Sequence, residues 1–235
     1  MSSRLKQYRG PLSPEQAAEG IAEARKNAAR LLADAELLLE ADRRPTASAL
    51  AILAIEELGK VQILKRIALH NEGRDLKDAW QEYRNHRAKN AMWILPKLAA
   101  EGARTMMQLR PATDIGGDHT GMLDTVKQLS IYTDCYGDEA RWSAPGEAVD
   151  LEFAPAIIAT AKMLSSERET TVRELELWVQ YVRPHYGQPT MPDAMLSFQH
   201  QLFEEGLTST KPEALQSFMR GSPVPVGDQK TDDAE

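Results

Sequence analysis

The chain is 235 residues long, enough to bury a sizeable core, with a formal net charge of −7 and a pI near 5.4. That balance excludes nucleic-acid binding through a broadly basic surface and leaves room only for a local basic cleft. One cysteine, Cys135, excludes a disulfide framework and a cysteine-rich zinc module.

Residues 1–12 read as an irregular basic arm without the apolar core of a secretory signal. Ser13 as N-cap, Pro14 at the first position and Gln16 three residues after the cap predict a capping box. Ile21, Ala24, Ala28, Leu31, Leu32, Ala35, Leu38 and Leu39 then recur at three- and four-residue intervals, the pattern of a long amphipathic helix ending near Ala41. Asp42-Arg43-Arg44-Pro45 breaks it, and Thr46 can cap a second helix over 46–72, with Gly73 just past its end. The short connection predicts an antiparallel pair.

A third helix is expected from 75–78 onward, carrying Trp80, Tyr83, Met92, Trp93 and Ile94 and kinked or ended by Pro96. Residues 110–121 read as a loop, 122–130 as a short helix, and 131–146 as an irregular segment. Tyr132, Tyr136 and Trp142 are expected to anchor that segment to the body, with Cys135 as a packed thiol. A second amphipathic section runs from Pro155 to Val182, followed by helices over 192–205 and, capped by Thr210, over 211–220. Residues 221–235 lack apolar content and read as a disordered acidic tail. The whole predicts an all-α protein: a helical bundle over 13–150 with C-terminal helices, 151–220, packed on it. No apolar run reaches the roughly eighteen residues of a membrane span, so a cytoplasmic protein is expected.

The second helix carries a conflict. Glu56, Glu57 and Lys60 stand inside 50–64, a segment apolar on nearly every side, and buried carboxylates are costly unless paired. Lys60 lies four residues after Glu56 and three after Glu57, so it can reach both, yet one negative charge stays unmatched. The third helix supplies basic partners in Arg84-Asn85-His86-Arg87-Ala88-Lys89-Asn90, with His86 on one helical face with Glu82, Lys89, Asn90 and Trp93. Gly59 costs about 1 kcal/mol of helix propensity relative to Ala, which predicts a close backbone crossing beside Lys60.

The run from Ala35-Glu36-Leu37-Leu38-Leu39-Glu40-Ala41 through Ala51-Ile52-Leu53-Ala54-Ile55-Glu56-Glu57-Leu58-Gly59-Lys60 resembles the signature of the AbiV-type abortive infection family. His86-Arg87-Ala88-Lys89 resembles the family's second block, His-x-x-Lys. Lys127-Gln128 with Ile131-Tyr132-Thr133-Asp134 and a later Trp142 to Pro145 resembles a third. The resemblance implies a phage-defence effector that halts growth or translation in the infected cell. It also implies kinship with HEPN-class helical domains, many of them dimeric, metal-independent ribonucleases with an Arg-x(4 to 6)-His motif. That motif is not present here: Arg66 precedes His70 with three residues between, and Arg84 stands two before His86. Only Glu56, Glu57, Lys60, His86 and Lys89 carry over from the family pattern.

Two functions of different classes follow. In the first, His86 is the base or acid of RNA cleavage, Lys89 and Arg87 contact phosphate, and Glu56 or Glu57 orients His86. In the second, Glu56, Glu57, Lys60, His86 and Lys89 form a structural ion network, and a non-enzymatic body sequesters a phage protein or a translation component. A homodimer is implied by the resemblance. A metal shared by Glu82 and His86 with Glu56 or Glu57 is a third arrangement, disfavoured because Lys60 and Lys89 would repel a cation, and no cofactor is expected.

Overall fold

The structure, a computed structural model, describes residues 6–150, 152–165 and 168–222. Residues 1–5 of the expected arm and 223–235 of the expected tail lie outside the described residues. Among the described residues the fold is all-α apart from one small hairpin. Helix α1 (Pro14–Glu40) opens with the capping box in place: the Ser13 hydroxyl accepts from the Gln16 N–H, and the Gln16 side chain accepts from the Ser13 N–H. Helix α2 (Arg44–Ala68) follows a tight reversal in which Asp42 takes a positive φ of 56° and Arg43 N–H donates to the Leu38 carbonyl. The pair is antiparallel: Ala17 and Ile21 of early α1 share a core cluster with Leu64 and Ile67 of late α2, while Ala35 meets Ala47 and Ala51.

Helix α2 is shorter than its periodicity suggests, and Gly73 does not close it. Its last turn is capped from far along the chain, where Arg183 donates to the Ala68 carbonyl at 2.8 Å and the Trp178 indole to that of Lys65 at 3.0 Å. Gly73, with φ 88°, instead begins α3 (Gly73–Arg84). The expected continuous third helix is broken. Asn85 is extended (φ −90°, ψ 122°), and its side chain accepts from the Arg87 N–H, capping a new short helix α4 (His86–Asn90). His86 therefore does not share a helical face with Glu82, which pairs with Arg66 on α2 instead.

A 3-10 turn at Ala91–Ile94 leads to α5 (Leu95–Ala100), where Pro96 sits in the first turn rather than at a kink. Helix α6 (Met106–Leu109) precedes α7 (Asp118–Ile131), which starts inside the expected loop. The 131–146 segment is no anchored coil. It forms a hairpin of β1 (Asp134–Tyr136) and β2 (Arg141–Ser143), with Cys135 opposite Trp142. Tyr132, Tyr136 and Trp142 are 60%, 47% and 75% exposed and Cys135 is exposed too, so none anchors the segment to the bundle.

After α8 (Pro145–Ala148), the expected single section from Pro155 to Val182 is two helices, α9 (Phe153–Leu164) and α10 (Val172–Val182). Helix α9 puts Ala154, Ile157, Ile158 and Ala161 into one core with Ala35, Ala51, Ile52 and Leu123. Helix α10 is tied to α2 by the buried Glu174, which meets Lys65 at 2.9 Å and Arg168 at 2.7 Å. Helices α11 (Met191–Glu204) and α12 (Pro212–Arg220) complete the order, with Lys211 rather than Thr210 at the N-cap of α12. No described helix is long and apolar enough to cross a membrane.

Candidate functional site

Helix α2 packs against α1, α3, α4, α7 and α9, which is why a carboxylate on it can be almost wholly buried. Glu56 is 2% exposed. Its Oε2 lies 2.6 Å from His86 Nδ1 and 3.0 Å from Lys89 Nζ, both on α4, and its Oε1 accepts from Lys127 Nζ of α7 at 2.6 Å. Lys127 Nζ also stands 2.8 Å from Asp124 Oδ1, a close charge contact one turn back on α7, and 3.2 Å from His86 Nδ1. Three helices thus converge on one carboxylate. With His86 neutral, Glu56 and Asp124 balance Lys89 and Lys127, so the cluster carries no net charge.

Close approach of α4 to α2 depends on Gly59. A Cβ at this position would collide with the Lys89 carbonyl, so only glycine lets α4 lie near enough for Lys89 and His86 to reach Glu56. The crossing expected from the helix-breaking residue is present, and it is α4 that crosses.

Burial would raise the Glu56 pKa, but hydrogen bonds from Lys127 and His86 and the charge of Lys89 outweigh it and hold Glu56 below its ordinary value. Burial would likewise lower the Lys127 pKa, and its contacts with Asp124 and Glu56 raise it above the ordinary lysine value instead. Both groups are therefore ionised at neutral pH. An ionised Glu56 only accepts, so the proton between it and His86 belongs to Nδ1, and in the neutral ring the lone pair falls on Nε2. The His86 side chain is 51% exposed, and no described residue hydrogen-bonds its Nε2. The result is a histidine fixed from behind by a buried carboxylate and open to solvent in front.

The sequence-predicted residues do not all meet. His86 and Lys89 join Glu56 as expected. Lys60 does not bridge both acids: it pairs with Glu57 alone, at 2.5 Å, and lies 5.3 Å from the centre of the Tyr83 ring. Arg87 is exposed, and its guanidinium packs over Gly121 of α7. Lys127 and Asp124 were not among the predicted site residues. The signal for Lys127 lies on α7, where it shares a buried face with Thr120, Leu123 and Ser130, a position that a lone lysine occupies only when it is paired. Asn90, beside Lys89, is completely buried, and neither amide atom has a hydrogen-bond partner among the described residues.

Glu56, His86 and Asp124 bring three donor atoms within 4.8 Å of one another, the spacing of a metal site. The Lys127 ammonium already touches all three, and Lys89 adds a second positive charge. The donor set suits an ammonium ion pair better than a divalent cation.

The family model for AbiV, of the HEPN group, matches residues 16–166, well over half of the chain, from the first turn of α1 through α9. No curated protein and no solved structure matches. Glu56, His86, Lys89, Asp124 and Lys127 all fall within the matched span, and the chain belongs to the AbiV family, a helical HEPN-type family of abortive-infection phage defence.

Proposed function

We propose that this effector shuts down translation or growth of the infected cell by metal-independent RNA cleavage at His86. The observation that carries the reading is the 2.6 Å contact from His86 Nδ1 to the buried Glu56, with the ring half exposed. Nε2 takes the proton of an RNA 2′-hydroxyl. The 2′-oxygen bonds to the adjacent phosphorus as the P–O5′ bond breaks, and the 5′-oxygen leaves with a proton from water. The products are a 2′,3′-cyclic phosphate and a 5′-hydroxyl. Arg87, exposed next to His86, contacts the phosphate. Lys89 and Lys127 are buried against Glu56, so their work is to keep it ionised rather than to touch RNA. Glu57 and Lys60, paired with each other, brace α2. A homodimer in the cytoplasm belongs to the same reading.

A second reading draws on the hairpin. Trp142 is 75% exposed and Tyr132 60% exposed, which suits a non-enzymatic protein that sequesters a phage or translation component. Induced expression in bacteria separates the two, read as growth and as incorporation of labelled amino acid. Wild type is expected to arrest both and the His86→Ala variant to arrest neither. A folded His86→Ala protein that still stops translation would overturn cleavage at His86, and Trp142→Ala losing toxicity in its place would favour sequestration.

A further inference from the structure

We infer that a basic groove between the N-terminal arm and α3 holds the phosphodiester backbone of an RNA strand and leads it to His86. Lys77, Gln81 and Arg84 recur at four- and three-residue intervals along one face of α3, and Arg9 of the arm lines the same groove, with Trp80 and Asn85. Asn85 is the residue that caps α4 and immediately precedes His86, so one end of the groove abuts the candidate site.

Two observations make the groove more than a solvated face. First, its cations are unpaired where their neighbours are not. Arg66 pairs with Glu82, Arg74 with Asp78, Lys60 with Glu57 and Lys127 with Glu56, whereas no described carboxylate lies within ion-pair distance of Arg9, Lys77 or Arg84. In a chain of net charge −7, cations gathered without acids mark a place where an anion is expected. Second, Arg84 is fixed in advance. It donates to the Trp80 carbonyl at 2.7 Å and to the Tyr8 carbonyl at 2.8 Å and lies 5.1 Å from the Trp80 ring centre. The arm is seated by the Trp80 indole on the Gly10 carbonyl at 2.9 Å and by the Tyr8 ring against Trp80. Trp80 itself is 7% exposed, which leaves it no face for base stacking. Contacts here would go to phosphates and be indifferent to sequence.

The identification of the strand as RNA rests on the proposed cleavage at His86; the binding does not. Fluorescence anisotropy with a short labelled 2′-O-methyl RNA, which cannot be cleaved through its 2′ position, tests the groove directly. Wild type and His86→Ala are expected to bind equally. The Arg9→Glu/Lys77→Glu variant, altered only at exposed positions, should bind about tenfold or more weakly, with the salt dependence of log K reduced by about two. Binding unchanged by the double reversal would overturn the groove. So would absence of oligonucleotide binding by wild type, or binding through Arg9 and Lys77 to phosphatidylglycerol vesicles alone. If the groove result holds while His86→Ala still cleaves RNA, the groove stands and the catalytic reading falls.

Discussion

Glu56 and His86, thirty residues apart in the chain, meet at 2.6 Å because α4 crosses α2 at Gly59. One partner is buried and the other half exposed, and that asymmetry separates stability from activity. Removing His86 leaves Glu56 with two ammonium partners, so His86→Ala should change the melting temperature by only a few degrees, the scale of about 1 kcal/mol. The same variant should lose toxicity. Differential scanning fluorimetry beside the growth assay checks both halves, and a collapse of the fold would return His86 to a structural role.

Substitution of Glu56 should do the opposite. Glu56→Gln leaves Lys89 and Lys127 buried without their shared countercharge, a loss of about 3–5 kcal/mol by urea unfolding. A loss under about 1 kcal/mol would show that the pairs contribute little. A double-mutant cycle with Lys127→Met should give a coupling of roughly 1–3 kcal/mol.

The pH dependence of stability has two limbs. The folded-state pKa of Glu56 is depressed, so its contribution is complete above the ordinary carboxylate value and is lost as pH falls through the lower folded value. That of Lys127 is raised, so its contribution is complete below 10.5 and is lost only as pH rises past that into the higher folded value. Unfolding free energies across pH should therefore show an acid decline that Glu56→Gln flattens and an alkaline decline that Lys127→Met flattens. Superimposable profiles for wild type and Glu56→Gln would count against the assignment.

Gly59→Ala tests the crossing itself. The added methyl meets the Lys89 carbonyl, which is backbone and cannot swing aside, so α4 must shift. Destabilisation of about 1–3 kcal/mol and reduced activity are expected together, measured by urea melts and the growth assay. Ala at this position with wild-type stability and activity would contradict the requirement for glycine at the α2–α4 crossing.

What could be foreseen in the sequence followed from short-range physics. The Ser13 capping box is settled within four residues, and charges on an apolar helix announce that partners must exist, which pointed to His86 and Lys89. Lys127 falls in the third family-like block and in the helix expected over 122–130, but its partner Glu56 is 71 residues away, so no local signal assigns the pair. The end of α2 is likewise set from a distance: Arg183 and Trp178 cap it from 115 and 113 residues downstream, beyond any local signal. Asn85 breaks a run whose composition favours helix by offering its side chain as a cap, a competition that residue spacing does not resolve. In the hairpin, Gly137 and Ala140 take positive φ values of 73° and 52°, and the three-residue strands are too short to show an alternation.

Metal-independent cleavage of RNA by His86, oriented by Glu56, is the activity we propose. Purified protein incubated with total RNA in the presence of chelator, with the fragment ends mapped chemically, tests it most directly. Wild type is expected to leave 2′,3′-cyclic phosphate ends and His86→Ala none. Intact RNA with wild type, even after infected-cell extract is added, or the same fragments from both proteins, would contradict it.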